Sequence, residues 1–176
     1  CKILRDHDSL KRNLNLYILC ENRGGTLTPA NQVVKKNLKM WLTKNKMIND
    51  TIDIMDAKVI NIGIDFTAIA SVEVPKHDVL KAARQRLIDY YKRYPDIGEP
   101  FFITDVYKEL KKVDGLVDVT DVRITQRLGN SGTRSYSDIR FDLDASTSAD
   151  GRYIAMPLNV IYEIKYPAND ISGVII

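Results

Sequence analysis

The chain has 176 residues, with 26 basic and 23 acidic side chains for a net charge of +3. That length supports one sizeable core or two small ones, and so close a charge balance argues against a dedicated polyanion binder. Cys1 and Cys20 are too few for a disulfide framework, so reduced cytosolic thiols are expected, and no apolar run approaches the ~20 residues of a membrane-spanning helix. Without a signal-like opening the product is expected to be soluble, and the start on Cys1 with the polar Lys2, Arg5, Asp6, His7 and Asp8 predicts a piece of a longer protein.

Leu14, Leu16 and Ile18 alternate with Asn13, Asn15 and Tyr17, the period of a half-buried strand, which the turn residues Asn22, Arg23, Gly24 and Gly25 then end. Thr28 before Pro29 reads as an N-cap with proline at the first helical position, and Val34, Leu38, Trp41 and Leu42 carry one apolar stripe to about Lys44. Ile52 and Ile54 begin an extended segment. From Lys58 to Ala70 the alternation is long and regular, with Ile60, Ile62, Ile64, Phe66 and Ala68 on one face and Asn61, Asp65 and Thr67 on the other. Pro75 precedes a helix in which Leu80, Ala83, Leu87 and Tyr91 share a face until Pro95 stops it.

A second helix follows quickly. Thr104 offers an N-cap oxygen, Asp105 sits at the positive end of the helix dipole, and Val106, Tyr107, Leu110 and Val113 recur at helical spacing. Gly115 suits a left-handed position just beyond its end. Val117 and Val119 then alternate with Asp118 and Thr120, but Val122 and Ile124 have the opposite parity, which predicts a bulge near Thr120 and Asp121.

After Leu128 the texture changes. Residues 129–137 hold two glycines, three serines and a threonine and read as a loop or mobile arm. Residues 138–144 alternate Ile139, Phe141 and Leu143 with charges, and Val160, Tyr162, Ile164 and Tyr166 repeat the pattern, so the two could pair as a hairpin across 145–151. The apolar residues 171–176 dock either on a neighbour or on their own domain. The whole predicts an α+β fold with helices packed on mainly antiparallel sheets. Its expected parts are a β-α-β subdomain over 1–72, an α-α-β subdomain over 73–128 and a β-rich arm over 129–176.

Few constellations carry chemistry. Asp142, Asp144, Ser146, Ser148 and Asp150 are spaced somewhat like a calcium loop, but Thr147 stands where such a loop needs Gly and Tyr153 where it needs Glu, so a polar turn is expected. His7 and His77 lie far apart, and Cys20 has no orienting partner in a recognisable motif, so neither a metal nor a nucleophilic centre, and no cofactor or enzymatic activity, is expected. Lys35, Lys36, Lys39, Lys44 and Lys46 gather on and after the first helix, and Lys81, Arg84, Arg86, Lys92 and Arg93 decorate the second. These are ordinary solvent faces. A nucleic-acid surface needs aromatics interleaved among the charges, whereas Trp41 falls on the apolar stripe, so a basic nucleic-acid-binding module is the alternative reading. Of Tyr90, Tyr91 and Tyr94, one faces outward if Tyr91 is turned to the core, either as an interface aromatic beside Arg or as a solvent-tolerant Tyr on a helix.

The succession of residues 76–94, Gly98-Glu99-Pro100-Phe101-Phe102, 104–113 and Val113-Asp114-Gly115-Leu116-Val117, with Val119 and Val122, resembles the C-terminal part of the baseplate J-like proteins. These are wedge components of contractile phage tails and related injection machines. The resemblance extends back through Leu16-Tyr17-Ile18-Leu19 and Thr28-Pro29-Ala30, and the Ser/Asp-rich stretch after Leu128 departs from it. It implies a structural protein of the virion's tail baseplate, assembled in the host cytoplasm. Such a protein joins itself as a homodimer and into a ring, contacts other wedge proteins, and moves on host attachment and genome ejection. No membrane or small-molecule substrate is implied. Trp41, Tyr90, Tyr94, Phe101, Phe102, Ile171, Val174, Ile175 and Ile176 are the interface residues expected on this reading.

Overall fold

The computed structural model describes residues 1–6 and 13–176, so His7 and Asp8 lie outside the described residues. In chain order the elements are β1 (Lys2–Arg5), β2 (Asn13–Ile18), β3 (Cys20–Glu21), β4 (Leu27–Thr28), α1 (Gln32–Asn45), β5 (Thr51–Asp56), β6 (Lys58–Ala70), α2 (Lys76–Tyr90), β7 (Phe101–Phe102), α3 (Ile103–Leu110) and β8 (Leu116–Arg127). Then come β9 (Asn130–Ser131), β10 (Arg134–Ser135), α4 (Leu143–Ser146), β11 (Tyr153–Ile154), β12 (Val160–Glu163), α5 (Pro167–Asp170) and β13 (Ile171–Ile175).

The regular alternation of residues 58–70 becomes β6, the spine of the molecule. Ile60, Ile62, Ile64, Phe66 and Ala68 all point into the main core, where Ala83 and Leu87 of α2 and Val106 and Leu110 of α3 cover them. Helices on one face of a sheet give the α+β class. Along one edge of β6, β8 runs antiparallel, with Val122 opposite Phe66 and Val119 opposite Ala68. Residues three apart share a face only if one residue between them is extra, and the register shift there is the bulge that the parity change predicts.

The other edge of β6 differs from expectation. β12 pairs with it in parallel at 58–61, and β13 pairs in parallel at 64–68, so the sheet is mixed rather than mainly antiparallel. The hairpin of 138–144 with 160–166 does not form. All four residues of β12 are buried, so this strand is covered on both faces and its alternation carried no partner information. Residues 138–142 form neither strand nor helix, and α4 follows, capped by Asp142, whose Oδ1 accepts from the Ala145 amide at 3.0 Å.

Two helix starts also shift. Thr28 is taken up by β4, opposite Cys20, and α1 begins three residues after Pro29 with Asn31 as its cap, Oδ1 accepting from the Val33 amide at 3.2 Å. α3 begins at Ile103 without a side-chain cap, because the Arg152 carbonyl accepts from the amides of Ile103 at 2.9 Å and Thr104 at 3.3 Å. Gly115 is left-handed, φ 82°, as expected, although α3 has already ended at Leu110.

A smaller core holds Leu16, Ile18 and Ala30 under the sheet β1-β2-β5, with Leu38, Leu42, Ile52 and Ile54 packed on it. Ala57, Ile97 and Ile161 form a third cluster, with Tyr17, Leu19, Leu27 and Val59 packed against it. The change of core falls near Ala57, and β6, within the segment 1–72 expected as one subdomain, packs with α2, α3 and β8. Residues 129–137 are pinned rather than loose. They fold into the β9–β10 hairpin; next to it the Tyr136 hydroxyl donates to Asp170 Oδ1 at 2.7 Å and the Ser137 amide donates to Asn61 Oδ1 at 2.7 Å. Among the described residues no helix is long and apolar enough to cross a membrane.

Candidate interaction surfaces

α1 turns Leu38 and Leu42 toward the small core and contributes no fully buried residue. A three-stranded sheet covers one stripe of a helix and no more, so the rest of its apolar content faces out. Trp41 is 62 % exposed, which corrects its assignment to the inward stripe, and Val33, Met40, Met47 and the 98 % exposed Ile48 are exposed as well. Lys36, Lys39, Met40, Trp41, Thr43 and Lys44 line a shallow groove of about 550 Å³. Lys35 pairs with Asp56 at 2.5 Å and Lys39 with Asp53 at 3.8 Å, while Lys36 and Lys44 have no ion pair among the described residues. With no acidic residue in α1, the groove is apolar with a basic rim.

The remaining interface residues expected from the sequence divide. Phe101 is fully buried, stacked on Tyr91 at 5.6 Å and edge-on to Tyr162 at 5.1 Å, and Ile171 is fully buried opposite Ile64, so both are core residues and not interface residues. Their burial follows from sheet parity, which places Ile171 on the same side as the apolar face of β6. Phe102, the next residue along, is exposed beside Tyr153, with ring centroids 6.0 Å apart. Ile175 packs on the main core, while Val174 and Ile176 face solvent. The tail therefore docks on its own domain as an edge strand and leaves two apolar side chains outside.

The tyrosines after α2 form a separate feature. Tyr90 faces outward and its hydroxyl donates to Asp105 Oδ2 at 3.3 Å, whereas Tyr91 is packed against the core, as the sequence predicts. Tyr94 is not a free surface aromatic: its hydroxyl donates to the Gly25 carbonyl and reaches Glu163 Oε1 at 3.5 Å. Together with Tyr162 these side chains line a cleft of about 390 Å³ closed by the 95–100 turn. Gly98 sets that turn. Its φ is 73°, its amide donates to the Val160 carbonyl at 2.6 Å, and a Cβ there would lie 2.8 Å from the Leu158 Cα. Burial pushes the Tyr91 and Tyr162 hydroxyls up, and for Tyr162 the negative charges of Glu99 and Asp105 push in the same direction, so both phenols stay neutral donors.

Polar groups that the sequence places on the solvent face are partly inside. Asn61 is 1 % exposed and its Nδ2 donates to Glu163 Oε2 at 2.8 Å, while Glu163 Oε1 accepts from the Leu27 amide at 3.3 Å. On the open face of the sheet Asp65 accepts from the hydroxyls of Ser172 and Thr125 and lies 3.7 Å from Arg127. In the stretch spaced like a calcium loop, Ser148 donates to Asp150 at 2.6 Å and its oxygen accepts from the amides of Arg152 and Tyr153, the bonding of a closed polar turn. Half-buried Cys20 lies in β3 and exposed His77 at the start of α2, on different cores. No protein-family model matches the chain, and no curated protein is significantly similar to it.

Proposed function

We propose that the chain is a non-enzymatic assembly module of a contractile-tail baseplate wedge, of the baseplate J-like family and its T-even-type branch. In that role it joins copies of itself and neighbouring wedge subunits in the virion and shifts with them at host attachment. The motif succession over residues 76–122 supports the family reading. The observation that carries the assembly role is the outer face of α1, where Val33, Met40 and Trp41, followed by Met47 and Ile48, are exposed beside a helix that buries none of its residues fully. An apolar patch rimmed by charge is what a partner covers. Assembly then requires no bond chemistry, only burial of this face and two alternative packings of it.

Light scattering behind size exclusion, over a dilution series and at two salt concentrations, tests the role. A dimer that survives salt and dissociates at least about tenfold more readily in Trp41→Ala, with an unchanged melting temperature, is the expected result. A monomer at every concentration overturns self-association through this chain.

One observation favours a second reading. Trp41 is exposed among Lys36, Lys39 and Lys44, the interleaving of an aromatic and basic groups that a single-stranded nucleic-acid surface uses. Affinity for an oligonucleotide that falls steeply with added salt, and that Trp41→Ala also lowers, would move the assignment there.

A further inference from the structure

The tyrosine cleft carries hydrogen-bonding capacity that neither the core nor the α1 face uses. Tyr162 is 9 % exposed, and neither its hydroxyl nor that of Tyr91 has a hydrogen-bond partner among the described residues. Both hydroxyls open into the cleft, where water reaches them, so each is free to bond a ligand that takes the water's place. The charge around them has a sign. Glu99 lines the cleft, and its Oε2 accepts from the Asp96 amide at 2.7 Å, leaving Oε1 without a partner among the described residues. Asp105, which accepts from the Tyr90 hydroxyl at 3.3 Å, adds a second negative charge behind the Tyr90 wall of the cleft.

We infer that this cleft binds a guanidinium group, the arginine side chain of a partner protein. A planar cation stacks on tyrosine faces and donates several hydrogen bonds in one plane, which matches the rings of Tyr90 and Tyr94, the free oxygen of Glu99 and the hydroxyls of Tyr91 and Tyr162. An anion is repelled by Glu99 and Asp105, and an apolar group leaves both hydroxyls unpaired. The left-handed Gly98, tied to Val160 and pressed on Leu158, holds Glu99 in place before anything binds. Arg93, exposed and lining the cleft, makes no ion pair among the described residues and is the one like charge that an incoming arginine meets.

Calorimetric titration of the whole chain with N-acetyl-L-arginine N-methylamide, and separately with free L-arginine, tests this. Saturable binding of the blocked compound is expected, weakened about tenfold by Glu99→Gln and about threefold by Tyr162→Phe. Tyr162→Phe is also expected to leave the melting temperature unchanged or higher, because it removes a hydroxyl that bonds no protein group among the described residues. Arg93→Ala strengthens binding of the blocked compound by removing a like charge. If free L-arginine alone binds, and Arg93→Ala weakens it, Arg93 holds an α-carboxylate and a partner's side chain is overturned as the occupant. Absence of binding by either compound, or binding that Glu99→Gln and Tyr162→Phe leave within twofold, overturns the site. The cleft lies on different residues from the α1 face, so Trp41→Ala should leave this titration unchanged whatever the oligomeric state.

Discussion

Gly173 sits directly opposite Phe66 in the parallel pairing of β13 with β6, and a Cβ on it would lie 2.3 Å from Phe66 Cζ. The end of the aromatic ring fills the space that a side chain would need. Phe66 is itself 2 % exposed and cannot swing out into solvent. Gly173→Ala should therefore overpack this contact and lower stability by about 1–3 kcal/mol. Urea denaturation measures it, and Phe66→Leu in the same chain should recover a good part of the loss. Strict additivity of the two changes would show that the clash is not what limits position 173.

Glu109 is buried at the packing of α3 on α2, and its carboxylate takes hydrogen bonds from Lys112 and, at 3.0 Å, from Arg86 Nε. The Lys112 bond holds its carboxyl below the ordinary range, Arg86 adds to it, and burial works against both. A folded value below the unfolded one, about 4.3 for a free Glu, means that the ionised pair stabilises the fold above that pH and is lost as pH falls through the depressed value. Melting temperature should thus decline on acidification below about pH 4.3, and Glu109→Gln should be less stable at neutral pH and less sensitive to acid. Parallel pH profiles of the two proteins would count against the linkage.

Asn61 and Glu163 join three separate parts of the chain, since Glu163 also meets Leu27 of β4 and Tyr94 after α2. Removing the carboxylate strands the buried Asn61 amide. Glu163→Ala should cost about 1–3 kcal/mol, and Glu163→Gln less, because its carbonyl still accepts from Asn61 or Leu27. Limited proteolysis at the 22–26 turn should speed up in Glu163→Ala, as the Leu27 tether goes. Equal cleavage rates would mean that Glu163 serves the large core alone.

The legible parts of this chain are those where one physical signal had no competitor. Ile60 to Ala68 alternate without interruption, so β6 could be placed end to end, and the parity break between Val119 and Val122 exposed the bulge because a strand has no other way to turn both inward. What escaped depends on contacts distant in sequence. Nothing local to Ile103 announces that the Arg152 carbonyl will take its amide, and Val160 to Glu163 look the same whether their partner is a hairpin strand or β6 in parallel. Trp41 lies outside for a different reason. Helical spacing fixes which residues share a face, but the small sheet beneath α1 decides how wide the buried stripe is. Phe101 and Phe102 illustrate the limit for the interaction surfaces, since adjacent strand residues face opposite ways and composition alone marks both as sticky.

The bulge in β8 makes a prediction of contrast between two one-residue deletions. Thr120 is the extra residue between the Val119–Ala68 and Asp121–Thr67 pairs. Deleting it leaves Val119 two positions before Val122, so both still face the core, and only the second register shift, at Val117, remains in the strand. Deleting Arg123 instead brings Ile124 next to Val122 and turns one of them out of the core, along with everything beyond it. The Thr120 deletion should therefore keep a cooperative thermal transition within about 5 °C of the parent, whereas the Arg123 deletion should lose several times that or fail to fold. Calorimetry on the two variants decides it. If they are equally damaged, the spacing of β8 is set at its ends, by Gly115 and by the Gln126 contacts with Ile139 and Phe141, and not by which way Val119 and Val122 point.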